Sequence, residues 1–376
     1  MTVQTRSGHP PHRPHSPHSP RPARTARPTR PAYAALAGLR GRLATWEGTI
    51  VVLLVASWAV ASVSVDGFAD TSNLWFILID VTEIAIMAIT LTLVVIAAEI
   101  DLSIASTLGL SCAVIGYLWN AGWPIEQIFP VALCVGAVCG ALNGVLVTRL
   151  GLPSLAVTIG TLALYRGLAY VILGDTAVAD FPERYTSWAT GRIPGTPIPY
   201  PIVLVAALAV IVGVLLHASP LGRATYALGY NEEAARFAGV RVKRIKFWLF
   251  VASGVFASLA GIVYTLRFSS ARADNGAGLE LAVVAAVLLG GVSIFGGRGT
   301  LPGVLAGVLL FGILRNALIL ADVSNEVLNF VTGVLLITSV LAPNLVGFIR
   351  RARAGPGGAT STPPPTTITK EGTSVS

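Results

Sequence analysis

Charge is scarce in this chain. Of 376 residues only 12% are Asp, Glu, Lys or Arg, against 54% hydrophobic, whereas soluble domains carry about 25% charged residues. A water-soluble globule needs more polar side chains than this to cover its surface, so the excess apolar area belongs in lipid. Lysine is almost absent: Lys243, Lys246 and Lys370 are the only three. None follows a Gly-rich turn, and no G-x-x-x-x-G-K-[ST] occurs, which excludes a P-loop nucleotide site. Histidine beyond residue 18 is His217 alone. With no second ligand near it and no Ser/His/Asp set, neither a metal centre nor nucleophilic catalysis is expected. Cys112, Cys134 and Cys139 sit in apolar runs without a Cys-x-x-Cys pairing, and read as small hydrophobes. No A-x-A cleavage site follows the first apolar run, so that run is not a secretory signal.

What is present is a series of apolar runs. Ten are long enough to approach the ~20 helical residues that a bilayer requires: 48–65, 74–98, 101–119, 128–148, 154–174, 201–217, 246–266, 279–296, 302–320 and 328–348. Strands exposed to lipid would leave backbone groups unpaired, so the runs are helices. The third and eighth are short or Gly-interrupted and are expected to be broken or re-entrant. The fold class expected is all-α, a polytopic transmembrane bundle of about ten helices spanning 48–349.

Two polar segments flank it. Residues 1–47 are rich in Pro, His and Arg, and residues 350–376 in Pro and Thr. Neither can bury enough apolar area to offset ordering entropy, and both read as disordered tails. His9, His12, His15 and His18 recur every third residue, a spacing that suits a solvated basic tail better than a metal site.

Net charge is +8, but its placement marks topology rather than nucleic-acid binding. With residues 1–47 in the cytoplasm, cytoplasmic segments and the entry residue Lys246 hold 20 of the 26 basic residues. The external loops hold Arg184, Arg192, Arg267 and Arg272. The opposite orientation breaks the positive-inside rule. Both termini are therefore expected in the cytoplasm, with the chain multi-pass in the inner membrane.

The longest charged loop is 218–245. Ser219-Pro220 ends the preceding helix. Asn231 is a good N-cap, and Glu232 and Glu233 suit the first turn of a short helix that Gly239 stops. Arg241, Lys243, Arg244 and Lys246 follow. Locally this pattern fits either a docking helix or a solvated topogenic loop.

Polar residues inside apolar runs are expensive in lipid and face a partner or a watery path. Glu83, Asp101, Ser103, Thr161, Arg166 and Asn329 are the candidate translocation path; structural ion pairing or snorkelling is the competing reading. Gly136, Gly140 and Gly144, and Gly303 and Gly307, have the four-residue spacing of close helix packing. The cluster Gly290–Gly299 is dense enough to break the eighth helix and permit the two-state motion of alternating access.

Several segments together resemble the membrane permeases of ribose-type ABC importers. They are Ala85-Ile86-Met87-Ala88, then Ile100-Asp101-Leu102-Ser103, then Pro153 to Gly167 (PSLAVTIGTLALYRG). Leu221-Gly222-Arg223, Ala227-Leu228-Gly229, Asn231-Glu232, Ala234-Ala235-Arg236 and Gly239-Val240 follow in order. Ser253–Ser270, Gly278-x-Glu280-Leu281 and Gly290–Gly299 complete the series, which covers roughly 74–345. Glu99 departs from the pattern, since many relatives carry Gly before Ile-Asp. The resemblance implies that Gly229, Asn231, Glu232, Glu233, Ala234, Ala235, Arg236 and Gly239 form a coupling helix that seats in a separate ABC ATPase subunit. That subunit would bind the ATP, and this chain would hold no cofactor. It implies a second permease chain, identical or related, an extracytoplasmic sugar-binding protein, and a ribose-, xylose- or rhamnose-like cargo. Branched-chain amino acids or nucleosides are the alternative cargo, and an ion-coupled secondary transporter using Glu83 or Asp101 is the alternative class.

Overall fold

The computed structural model describes Thr2 and residues 46–353. The bulk of both tails, with the four tail histidines, lies outside the described residues. The described chain is helical: α1 Trp46–Ser64, α2 Thr71–Asp80, α3 Thr82–Ile96, α4 Ile104–Asn120, α5 Ile125–Thr148, α6 Ser154–Leu173 and α7 Glu183–Thr190. Then follow α8 Tyr200–Ala218, α9 Pro220–Tyr230, α10 Glu232–Phe237, α11 Val242–Phe268, α12 Leu279–Leu289, α13 Leu301–Leu320 and α14 Asn325–Arg353. Extended pairing among the described residues is confined to two isolated bridges, Val178 with Ala271 and Arg192 with Pro199.

Among the described residues six helices are long and apolar enough to cross a membrane: α1, α5, α6, α8, α11 and α13. The pair α2–α3 makes a seventh span, bent by 42° at Val81. The shorter α4 and α12, and the apolar stretch of α14, account for the remaining apolar runs. The expected break in the eighth run is present: α12 stops after eleven residues and Gly290 to Thr300 turn back in loop conformation. The expected break in the third run is not. α4 is continuous over 17 residues, and the irregular backbone falls before it, at 97–103, and at the α2–α3 bend. Hydropathy reads the α2–α3 bend as apolar and cannot register the change of direction there.

α3 is the centre of the bundle. Every residue from Thr82 to Ile96 except Leu93 is buried, the signature of a helix surrounded on all sides. α8, α11, α12 and α13 pack around it. In contrast α1 buries only Ile50 and Ala61 and exposes Val51, Val55, Val60 and Val63, a surface for lipid.

The closest helix pair is α5 with α11. Positions 136 and 140 put bare backbone against the backbones of Gly254 and Phe250, and a Cβ at either would collide with a carbonyl oxygen there. The four-residue glycine spacing is therefore a packing seam. Gly303 and Gly307 of α13 pack in the same way on Gly290 and Ala286 of α12.

The polar contacts sort into two ends. At one, Glu47, Ile96 to Ile100, Ser154, His217, Tyr226, Lys246 and Gly297 to Leu301 meet. At the other, Ile79 to Glu83 meet Arg267, and Arg166 meets the loop after α11. These are called the Glu99 end and the Arg166 end below.

Candidate functional site

The Glu99 end carries the loop singled out in the sequence. Ser219 starts α9, its hydroxyl accepting from Gly222 N at 3.3 Å. Asn231 starts α10, its Oδ1 accepting from Ala234 N at 2.9 Å. Gly239 stops it at φ +84°, with Gly239 N donating to Arg236 O and Val240 N to Ala235 O, each at 3.0 Å. This is a Schellman closure, and the left-handed residue it requires is most easily glycine. Ala235 is buried beneath α10, whereas Glu232, Glu233, Ala234 and Arg236 face outward.

Two links tie this loop to the centre of the bundle. The first is steric. Gly229 lies so close to the C-terminus of α3 that a Cβ would overlap the Ile96 carbonyl. That same carbonyl accepts from Gly297 N at 2.8 Å, and Tyr226 donates its hydroxyl to Gly299 O at 2.7 Å. The loop, the end of α3 and the glycine-rich 290–300 turn thus form one contact.

The second link is ionic. Lys246 Nζ lies 2.5 Å from Glu99 Oε1 and 2.6 Å from Glu232 Oε2, and Glu232 Oε1 receives Arg236 at 3.1 Å. The Lys246 ammonium, donating to Glu232, holds that carboxyl below the usual carboxylate range. Through Lys246 the Glu99 carboxylate joins the α3–α4 turn to the base of α10.

Asp101 and Ser103 sit one turn further in. Asp101 is buried. Its Oδ1 accepts from Ser103 N at 3.0 Å and from the Ser103 hydroxyl at 2.6 Å, and its Oδ2 from the Ser253 hydroxyl at 2.7 Å. Asn143 Nδ2 donates to Ser103 Oγ at 2.8 Å, and Tyr165 donates to Cys139 O at 2.9 Å. A buried carboxylate with three donors is compensated. Together these contacts pin the start of α4 to α5 and α11. Thr161 is buried on α6, its hydroxyl turned back to Val157 O at 3.1 Å.

At the Arg166 end, Arg267 in the last turn of α11 reaches the α2–α3 bend. It donates to Ile79 O at 2.7 Å and Glu83 Oε2 at 3.0 Å, and pairs with Asp80 Oδ1 at 2.5 Å. Read from sequence, Arg267 belongs to an external loop; its partnership with Glu83 was not visible there. Arg166 on α6 donates through Nη1 to Ala273 O at 2.7 Å and Asn275 O at 2.8 Å. Asn329 is exposed on α14, apart from both clusters. The six candidate path residues are thus not brought to one site. Asp101 and Ser103 share a network, Glu83 and Arg166 hold separate joints, and Thr161 and Asn329 belong to neither.

Comparison with known proteins bears on the family of the chain. The family model described as branched-chain amino acid transport system / permease component matches residues 73–340. The ribose import permease protein RbsC of Haemophilus influenzae is 33% identical over 311 residues, covering 82% of this chain and 95% of that protein. The autoinducer 2 import system permease protein LsrD of Photorhabdus luminescens is 32% identical over 311 residues, covering 81% and 93%. Its counterpart from Klebsiella pneumoniae is 33% identical over 306 residues, covering 80% and 92%. No solved structure matches. A helical bundle in the membrane, an ordered series of permease motifs and matches of this length together establish that the chain belongs to the permease-component family of ABC import systems.

Proposed function

We propose that this permease carries a monosaccharide, driven by a separate ATPase that docks on the 218–245 loop. The observation that carries the docking part is a pair of exposed aromatics bracketing α10. Tyr230 is 79% exposed and Phe237 is 85% exposed. They stand on a polar, ion-paired loop rather than on a lipid-facing span, and the described residues leave them uncovered. Large apolar side chains presented in this way on a capped helix suit insertion into a partner's cleft.

On this reading the Glu99 end and both termini lie in the cytoplasm, in keeping with the basic loops. A binding protein delivers sugar to the Arg166 end, and a second permease chain, identical or related, completes the pathway. The chain makes no covalent change and holds no nucleotide. The sugar assignment is supported by relatives whose names specify ribose and autoinducer 2. An ion-coupled mechanism is disfavoured by the satisfaction of Asp101 by two serines.

The test is co-purification. The chain is co-expressed with a candidate ABC ATPase subunit, solubilised gently and captured. Phe237→Asp, at an exposed position, is expected to weaken retention of the ATPase by roughly 30-fold, the effect of a truncated interface anchor worth about 2 kcal/mol. Retention equal to wild type would sink the assignment of this loop.

A further inference from the structure

The loop that Arg166 holds is built more firmly than a connection needs. Residues 269–278 join α11 to α12. Ser269 opens the loop at φ +45°, a left-handed conformation that an L side chain adopts at a cost of about 1–3 kcal/mol. Asn275 is buried and donates its amide to Ser270 O at 3.1 Å. Arg166 ties down Ala273 and Asn275 from below, and Ala271 pairs with Val178 in both directions at 2.8 and 2.9 Å. Strain held in place by surrounding contacts is a common mark of a working surface.

The surface so fixed is concave. A bowl of about 360 Å³ is lined by Tyr264, Phe268, Ser270, Arg272, Asp274 and Asn275, within the ~300–1,000 Å³ of small-molecule clefts. A second hollow of about 140 Å³ lies beside it and shares Arg272 and Asp274 in its wall. Those two side chains form a fork: Arg272 Nε to Asp274 Oδ1 at 2.8 Å and Arg272 Nη2 to Asp274 Oδ2 at 3.1 Å. Both are nearly half exposed, so the pair adds little to stability. It places donors and acceptors together on a rim, with no net charge between them. Below the rim, Tyr264 and Phe268 lie with ring centroids 4.5 Å apart.

We propose that this bowl is a binding site for a neutral cyclic sugar on the entry side of the permease. A sugar ring is apolar on its C–H faces and polar around its edge. An aromatic wall takes the C–H face. A charge-balanced Arg–Asp rim, with Ser270 and Asn275, takes the hydroxyls, since charge-assisted hydrogen bonds are the strong ones. An anionic ligand would be opposed by Asp274 and a cationic one by Arg272. The site deepens the sugar-permease reading and rests on it.

The test uses the full chain in nanodiscs and a mixture of ribose, xylose, rhamnose and galactose at millimolar concentration. Saturation-transfer difference NMR reads the contact of ring protons with the protein. Wild type is expected to give a signal for at least one of these sugars. Asp274→Asn and Phe268→Ala, both at accessible positions, are expected to weaken binding about tenfold, as for one lost charge-assisted hydrogen bond or one aromatic contact. Val55→Ala, on the lipid-facing side of α1, is expected to leave the signal intact and serves as the folding control. No signal from wild type, or equal signals from all three variants, would overturn the site. So would preferential binding of ribose 5-phosphate, which would make it an anion site. ATPase retention by the same preparations reports on the permease reading separately, so failure of one is distinguishable from failure of the other.

Discussion

Arg267→Met is expected to destabilise the solubilised chain by about 3–5 kcal/mol, the cost of leaving a buried carboxylate without its cation. Glu83 is 2% exposed. Its Oε2 accepts from Arg267, and its Oε1 has no hydrogen-bond partner among the described residues. Arg267 is therefore the main compensation for a charge in the middle of the bundle. It also satisfies the Ile79 carbonyl just before the 42° bend, where α2 ends and helical pairing is interrupted. Removing it strips both at once. Adding Glu83→Gln to Arg267→Met removes the stranded charge and is expected to recover most of the loss. Thermal unfolding in detergent measures both variants. A double variant no more stable than Arg267→Met would show that the bend, rather than the ion pair, is what Arg267 supports.

That pair also shows where sequence reading stops. Apolar runs report on single helices, since a lipid-spanning helix must be apolar whatever it packs against. So the bundle, the α5 glycine seam and the break after Leu289 were legible. The short capped helix of the 218–245 loop was legible because capping is local: Asn231 and Gly239 act within four residues of themselves. Glu83 and Arg267 are 184 positions apart, and nothing near either names the other. Arg166 was legible as unusual but not as a loop anchor, because its partners are carbonyls that any residue supplies. The bowl at 264–275 was missed for a related reason. Arg272 looked like an ordinary external-loop charge, and only the fold brings it together with Asp274, Tyr264 and Phe268.

Lys246→Met is expected to cut sugar uptake per ATP hydrolysed by about tenfold, within the ~5–150-fold range of typical site-to-site coupling. The three charges it breaks apart lie between the proposed ATPase dock and the core. Glu232 belongs to α10, Lys246 to the first turns of α11, and Glu99 to the turn leaving α3. α3 is the buried centre around which the other helices pack, so a push on α10 reaches the pathway if it reaches α3. Lys246 is only 13% exposed and Glu99 10%. Without the cation two carboxylates face each other in a poorly solvated joint and are expected to separate. A structural defect alone would lower assembly and uptake together. The coupling role predicts normal ATPase retention, continued ATP hydrolysis and lost uptake, measured in proteoliposomes with the ATPase and binding protein present. Lys246→Arg is expected to restore the ratio. The pH dependence follows from Glu232, whose carboxyl is held below the ordinary range by Lys246. A depressed carboxylate keeps its contribution above the ordinary pKa and loses it as pH falls through the lowered one. Uptake per ATP is thus expected to be flat through neutrality and to fall only in acid. An unchanged ratio in Lys246→Met would mean that α10 drives α3 through the Gly229 and Tyr226 contacts alone.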